Sequence, residues 1–215
     1  MPTKPLIGRN VKLEVAATYG TAKAITAITK ANPAQVTSSA HGLTVNTIGY
    51  LTDLVGCDEI NLMAMSVGNP LTNTFELTGV DSTNFVSAAT AGNFTPVLTW
   101  NTLTTATSIS VSDASATQIN TTTLLDVVGQ SETGILAAQT VTMEQLIPSI
   151  SSAGLSFIEN AALTSTDCVF RATFASGARI IWRGVPSLPG MNVAIDSAVT
   201  GSVTTNVRGR VLRLV

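Results

Sequence analysis

Charged side chains are scarce in this chain. They make up 11% of its 215 residues, against roughly a quarter in an ordinary soluble domain. A free monomer keeps more charge than this to stay dispersed. Serine, threonine, alanine and asparagine stand in its place, and ordering a short hydroxyl side chain forfeits less entropy than ordering lysine or glutamate. Such a surface suits a protein covered by neighbours. Basic excess is also missing. The net charge is −2 and the pI is about 5.3, which argues against binding nucleic acid by phosphate neutralisation.

The residues that carry most chemistry are nearly absent. Histidine occurs once, as His41, and cysteine twice, as Cys57 and Cys168. No cysteine pair has metal-ligand spacing, so no zinc site is expected. Ser-His-Asp chemistry would have to use His41, and no Gly-x-Ser-x-Gly elbow accompanies it. His41 precedes Gly42 and reads as a turn residue tolerating unusual φ. The cysteines read as buried free thiols, with a disulfide as the other possibility. Gly129–Gly134 is framed by glycine but lacks the Walker lysine and the strand–GxGxxG–helix context, so it reads as a loop. Asp58-Glu59 is the only adjacent carboxylate pair. Neighbours in a strand face opposite ways, which makes it a poor acid–base pair. Asn93-Phe94-Thr95 and Asn120-Thr121-Thr122 match the glycosylation pattern and mean nothing without a secretory route. No catalytic residue, cofactor-binding residue, cofactor or metal ligand is nominated, and the chain is expected not to be an enzyme.

Long apolar runs are missing as well. None approaches the roughly 18 residues of a spanning helix, so no membrane partner is expected. The opening Met1-Pro2-Thr3-Lys4-Pro5 has no apolar signal core. A soluble product made in a cytoplasm is the expectation.

What the chain does have is a 45% share of hydrophobic residues, enough for a sizeable core, arranged mostly with a period of two. Val11, Leu13 and Val15 alternate with Lys12 and Glu14, the pattern of a half-buried strand over residues 6–19. Residues 24–96 hold short β runs, such as 34–38 and 74–78, separated by Asn32-Pro33, His41-Gly42, Gly68-Asn69-Pro70 and Ala91-Gly92-Asn93. That is the grammar of a small all-β module. Longer strands return at 97–100, at 108–112 and from Ile135 to Ile147, where Val141, Met143 and Gln145 oppose Thr140, Thr142, Glu144 and Leu146. One helix is predicted. Pro148 suits a first turn, and Ile150, Leu155, Ile158 and Ala162 recur near helical spacing, with Leu155–Leu163 the firm part. A hairpin follows, Cys168–Phe174 and Ala178–Arg183 about the turn Ala175-Ser176-Gly177. Val185–Gly190 is a proline-punctuated corner. The last strands are Met191–Asp196 and Ser202–Val215, the latter with Arg208, Arg210 and Arg213 on a charged edge. Trp100, Phe170, Phe174 and Trp182 fall in strand runs and read as core.

Two resemblances sharpen this reading. Ile28–Ala34, Ala40-His41-Gly42-Leu43 and Asn73–Thr83 resemble a small β module, similar to a domain of ubiquitin-activating enzymes, that recurs as an insertion in phage virion proteins. The middle of the segment, around Gly56–Ala64, departs from that pattern, and no ubiquitin chemistry is implied. The remainder, 1–23 plus 97–215, resembles the tail tube proteins of long non-contractile phage tails, through Ile119–Asp126, Leu155–Leu163, the Cys168–Trp182 hairpin and the order of elements. The resemblance implies a mainly β fold: a β-sandwich or partial barrel with one flanking helix, interrupted by the inserted module 24–96. It implies a virion protein that forms stacked hexameric rings, a conduit for double-stranded DNA that passes without specific binding. Tape measure, terminator and tail-tip proteins would be its partners.

Within that expectation the inserted module protrudes, the extended residues 1–10 form an arm, Ile119–Gly134 forms a stacking loop, and the strand ending at Val215 is an edge. Glu144 is the residue nominated to face the lumen, where a negative charge repels phosphate, and Arg208, Arg210 and Arg213 face away from DNA. A contractile-tail tube would share the fold. The alternative is another virion component, a decoration or baseplate protein acting as a binding module.

Overall fold

The computed structural model describes residues 10–125, 127–147 and 152–214. Among these the chain is mainly β, with one α-helix. In order, the strands are β1 (Lys12–Tyr19), β2 (Lys23–Ile25), β3 (Ala27–Ile28), β4 (Gln35–Thr37), β5 (Ile48–Val55), β6 (Ala64–Gly68), β7 (Thr74–Leu77) and β8 (Ala91–Thr102). Then come β9 (Ala106–Val111), β10 (Ala116–Asn120), β11 (Ser131–Leu136) and β12 (Thr140–Leu146). The helix α1 (Ala153–Leu163) precedes β13 (Cys168–Thr173), β14 (Arg179–Pro186), β15 (Gly190–Asn192), β16 (Thr200–Val207) and β17 (Leu212–Leu214).

One sheet runs β3-β4-β7-β6-β5-β8-β1-β13-β14-β16-β12-β9 and curls into a half-barrel around α1. All its pairings are antiparallel. β8 is the long splice. Its residues 91–96 pair with β2 and β5, and its residues 97–102 pair with β1. Two cores result. Ile28, Val36, Leu51, Met65, Phe75 and Phe94 belong to the first. Leu13, Val15, Ile158, Phe170, Trp182 and Val203 belong to the second.

The wall between them is β1, β13 and β14. Strand alternation sends Phe170 and Trp182 into the second core and their neighbours Val169 and Ile181 into the first. Phe170 and Trp182 stack with ring centres 5.3 Å apart. The N-terminal strand cluster therefore does not hang free from its two connections: Val169, Ile181, Leu212 and Leu214 share its core.

The helix caps as its sequence directs. The Ser152 hydroxyl accepts the Leu155 N–H at 3.3 Å, and Gly154, Leu155, Ile158 and Ala161 are buried. Ala161, not Ala162, completes the buried stripe, because spacing three follows spacing three. A side chain at Gly154 would collide with Leu103, so this glycine serves close packing. Pro148, Ile150, Asp126, Val215 and all but the last residue of the arm 1–10 lie outside the described residues.

Several expectations change. The run Ile135–Ile147 is two strands, broken at 137–139, and Gly129–Gly134 is partly strand, since β11 begins at Ser131. The corner starts at Ser187, because Pro186 still pairs in β14 with Thr205. Met191–Asp196 shortens to β15. The run 202–215 is two collinear strands along β14, interrupted at 208–211 where Gly209 takes φ +73°. Arg208 and Arg210 fall in that bend, so only Arg213 lies on the final strand. Asp58-Glu59 sits in a single 3₁₀ turn, Asp58–Ile60, rather than a strand.

Candidate assembly surfaces

The positions inspected for chemistry serve structure. His41 is buried, and the positive φ of its turn falls on Ala40 and Gly42 instead. Its Nδ1 accepts the Leu43 N–H at 3.0 Å, so the ring proton is on Nε2, which donates to the Thr74 carbonyl at 3.2 Å. The ring also packs edge-on against Phe75, centres 5.1 Å apart. Cys57 and Cys168 are both free and buried. Burial and the adjacent Asp167 charge push the Cys168 thiol up to about 12, and burial raises Cys57 too. Neither is a ready nucleophile. Among the described residues no group of His, Cys, Asp or Glu is arranged to hold a metal, and no helix is long and apolar enough to cross a membrane.

The strand cluster is latched to the wall by arginines. The Arg183 guanidinium lies 4.2 Å from the centre of the Tyr50 ring, and its Nη1 donates to the Leu62 carbonyl at 3.2 Å. Its Nη2 meets Asp167 at 3.1 Å, and Asp167 also holds Arg208 at 3.2 Å. Arg179 donates to Asn46. Tyr19 meets Tyr50 edge-on, and its hydroxyl accepts the Val169 N–H at 3.2 Å. Burial raises the Tyr19 phenol to about 12, so it stays neutral.

Glu14 was read as the polar side of a half-buried strand, yet it is 2% exposed. It is buried because Arg171 opposes it across the β1–β13 pair and reaches it at 2.6 Å, with Lys12 at 2.8 Å. Arg171 in turn covers the Trp100 ring at 4.2 Å, so Trp100 is half-buried between that cation and the first core, against which it packs. Burial pushes the Glu14 carboxyl up, but the hydrogen bonds and charges of Arg171 and Lys12 outweigh it and hold the group below its ordinary value.

Glu144 lies on the outer face of the half-barrel, exposed, accepting the Ser108 hydroxyl at 3.2 Å. Its neighbours on that face come from three strands: Ser108 and Ser110 from β9, Thr142 from β12, Ser202 and Thr204 from β16. The opposite side of the same strands carries Ile109, Val141, Met143 and Val203 toward the core. A face of hydroxyls with one carboxylate is the result.

The least satisfied element is the ribbon β10–β11. Among the described residues it pairs only with itself. Leu124, Leu125, Val127 and Ile135 are almost fully exposed, Leu125 at 93% and Val127 at 99%. An isolated two-stranded hairpin is marginal in water, and exposed apolar side chains gathered on one such element are what an interaction site would present. β17 is a second open edge, since among the described residues β14 is its only partner. The predicted stacking loop Ile119–Gly134 overlaps this ribbon, but its full extent, 116–136, was hidden. The signal available in the sequence was the pairing of Ala116–Asn120 with Ser131–Leu136 across a run of Thr and Leu.

Another signal was plain in the sequence and unread: every Lys and Arg lies at or before Lys30 or at or after Arg171, while every carboxylate except Glu14 and Asp196 lies between them. A family model described as phage tail tube protein matches residues 56–215. No curated protein matches the chain.

Proposed function

The chain belongs to the phage tail tube protein family, a structural component of the virion tail, and from that premise we propose that it works without catalysis, by polymerising. Copies form stacked rings, hexameric by family resemblance, and the stacked rings make a conduit through which double-stranded DNA leaves the capsid. Assembly takes place in the host bacterial cytoplasm, with tape measure, terminator and tail-tip proteins as partners. The observation that carries this reading is the ribbon. Its Leu124, Leu125, Val127 and Ile135 are exposed and, among the described residues, its strands pair only with each other, which supports a surface that another molecule covers.

Within the proposal, residues 24–96 are an inserted module similar to a domain of ubiquitin-activating enzymes, and 1–23 with 97–215 form the tube domain. The latch between Arg183 and Tyr50 supports a rigid module rather than a loose appendage. The outer face of β9, β12 and β16 lines the lumen. Its hydroxyls offer sliding DNA no cation to grip, and Glu144 repels phosphate over about the 8 Å screening length of physiological salt.

Electron microscopy of the concentrated, purified chain tests the assembly. Rings or hollow tubes are expected. A chain that stays monomeric even with its tail-initiating partners present would overturn it. Glu144→Lys tests the lumen separately: tubes should form, and DNA ejection through them should slow. Unchanged ejection would remove Glu144 from the bore.

A further inference from the structure

The second core is open on one side. Val11, Ile109, Val111 and Ile180 pack against it yet stay half-buried. With Phe174 they line a groove of about 650 Å³. β9 forms one bank of the groove. Among the described residues it is a free edge of the sheet, paired to β12 alone. Asn10, where the described chain begins, lies on the other bank. An apolar groove beside unpaired backbone is the place of a missing strand.

The unpaired groups can be named. The Ser112 N–H donates to the Thr140 carbonyl at 2.9 Å. Antiparallel pairs alternate between bonded and unbonded, so the N–H and C=O groups of Ile109 and Val111 point away from β12 and toward the groove. The β1–β8 ladder leads to the same two residues. There Glu14 opposes Thr102 and Val15 opposes Asn101, and the Leu103 N–H donates to the Leu13 carbonyl at 2.9 Å. Both chains then bend near the same level, one at Asn10 with φ +58°, the other over residues 103–105, where β8 gives way to β9. Carried past the bend, the register sets Ile7 opposite Ile109 and Pro5 opposite Val111, each a bonded pair like Leu13 with Leu103. The ladder thus calls for backbone groups where β9 has them free.

We propose that residues 5–9 of the same chain complete the half-barrel, adding to the open edge of β9 as an antiparallel strand. Opposed residues share a face, so Ile7 enters the groove beside Ile109, and Leu6 stays outside beside Ser110. Tether length favours this occupant over a second copy. Ile7 is three residues from Asn10, so it cannot stray more than about 11 Å. So short a tie gives a local concentration on the order of millimolar or more. Pro5 suits the end of such a strand. It has no N–H to give, accepts the Val111 N–H, and falls where β9 stops. The added strand covers the open side of the second core and blunts an edge that would otherwise recruit other chains. It belongs to the single chain and does not depend on whether copies assemble.

Hydrogen exchange on the full chain tests it, at a dilution where light scattering finds monomers. The Ile109 and Val111 amides should be protected. Ile7→Ser should speed their exchange about tenfold or more, through the loss of one buried aliphatic side chain. Leu6→Ser should leave them within about twofold. Circular dichroism checks that each variant folds. A second readout needs no loss of packing. Ile7→Cys with Ile109→Cys brings two cysteines to about 5.5 Å between Cα atoms, inside the range a disulfide spans. Mild oxidation should link them within one chain, read as a monomer on a non-reducing gel and as one joined peptide pair after digestion. Ile7→Cys alone should stay reduced, since Cys57 and Cys168 are buried. Unprotected Ile109 and Val111 amides in the unmodified chain overturn the strand. Disulfides that join two chains, or protection that appears only as concentration rises, assign the groove to a second copy and overturn it as well. Equal effects of Ile7→Ser and Leu6→Ser overturn the register.

Discussion

The wall pair β13–β14 and the ribbon β10–β11 are both antiparallel hairpins, and they treat apolar side chains in opposite ways. In the wall, Val169, Phe170, Ile181 and Trp182 are completely buried, alternate residues feeding alternate cores. In the ribbon, Leu124, Leu125, Val127 and Ile135 meet solvent. Local sequence does not set this difference, since both regions are rich in β-branched and aliphatic residues. Neighbours do. The wall has β1 on one side, β16 and β17 on the other, α1 beneath and the strand cluster above. Among the described residues the ribbon pairs only with itself. Apolar residues in the first region stabilise the monomer; those in the second are available to another molecule.

Ordered by their effect on monomer stability, substitutions should separate the two regions. Trp182→Ala removes a fully buried ring stacked on Phe170, and should cost about 3–5 kcal/mol in denaturant unfolding. A loss under about 1 kcal/mol would mean the wall is not the stability centre. Gly209→Val comes next. Any side chain at φ +73° is strained, and here it would run into Met63, forcing the wall and the strand cluster apart. A loss of about 2–3 kcal/mol is expected, with a melting transition that broadens as the two cores uncouple.

Glu14→Gln should cost less, about 1 kcal/mol, because Arg171 is partly exposed and can turn to water. Its signature is in pH. The folded Glu14 carboxyl is held below its ordinary value of 4.5, so its contribution is present above that value and is lost as pH falls through the lower, folded one. Acid melts of the unmodified chain should therefore steepen below about 4.5, and Glu14→Gln should flatten that limb. Parallel curves for the two proteins would mean that other carboxylates govern acid unfolding.

The wall was legible in the sequence and the ribbon largely was not, for one physical reason. Cys168–Trp182 carries near-continuous apolar runs on both strands, Cys168-Val169-Phe170 and Ile180-Ile181-Trp182, about a Gly177 turn at φ +88°, so the strand runs and the turn chemistry agree. The helix was legible to within two residues at its start, because Leu155 and Ile158 have no β alternative in that spacing. Ala116–Asn120 pairs with Ser131–Leu136 across ten intervening residues, and their Leu124, Leu125, Val127 and Val128 are exposed. Period-based reading assumes a buried side, and the ribbon has none among the described residues. Glu14 was misplaced for a related reason. Its burial depends on Arg171, 157 positions away, which no local window contains. Glu144 was legible as a strand residue on the polar side, and its exposure beside Ser108 agrees.

The ribbon gives the smallest expected effect on the monomer and so the cleanest break. Leu124→Ser with Leu125→Ser removes two side chains that meet solvent and pack on no core. Exposed positions of this kind change folding stability by about 0.5 kcal/mol or less, and serine keeps the polar character of the surrounding threonines. The unfolding midpoint should therefore match the unmodified chain, while particles visible by electron microscopy disappear. The pairing of outcomes carries the argument. If the double variant unfolds earlier, the ribbon packs on its own monomer and the contrast with the wall collapses. If it is equally stable and still assembles, the apolar tip covers nothing, and the surface that joins copies must be sought at the open edge of β17.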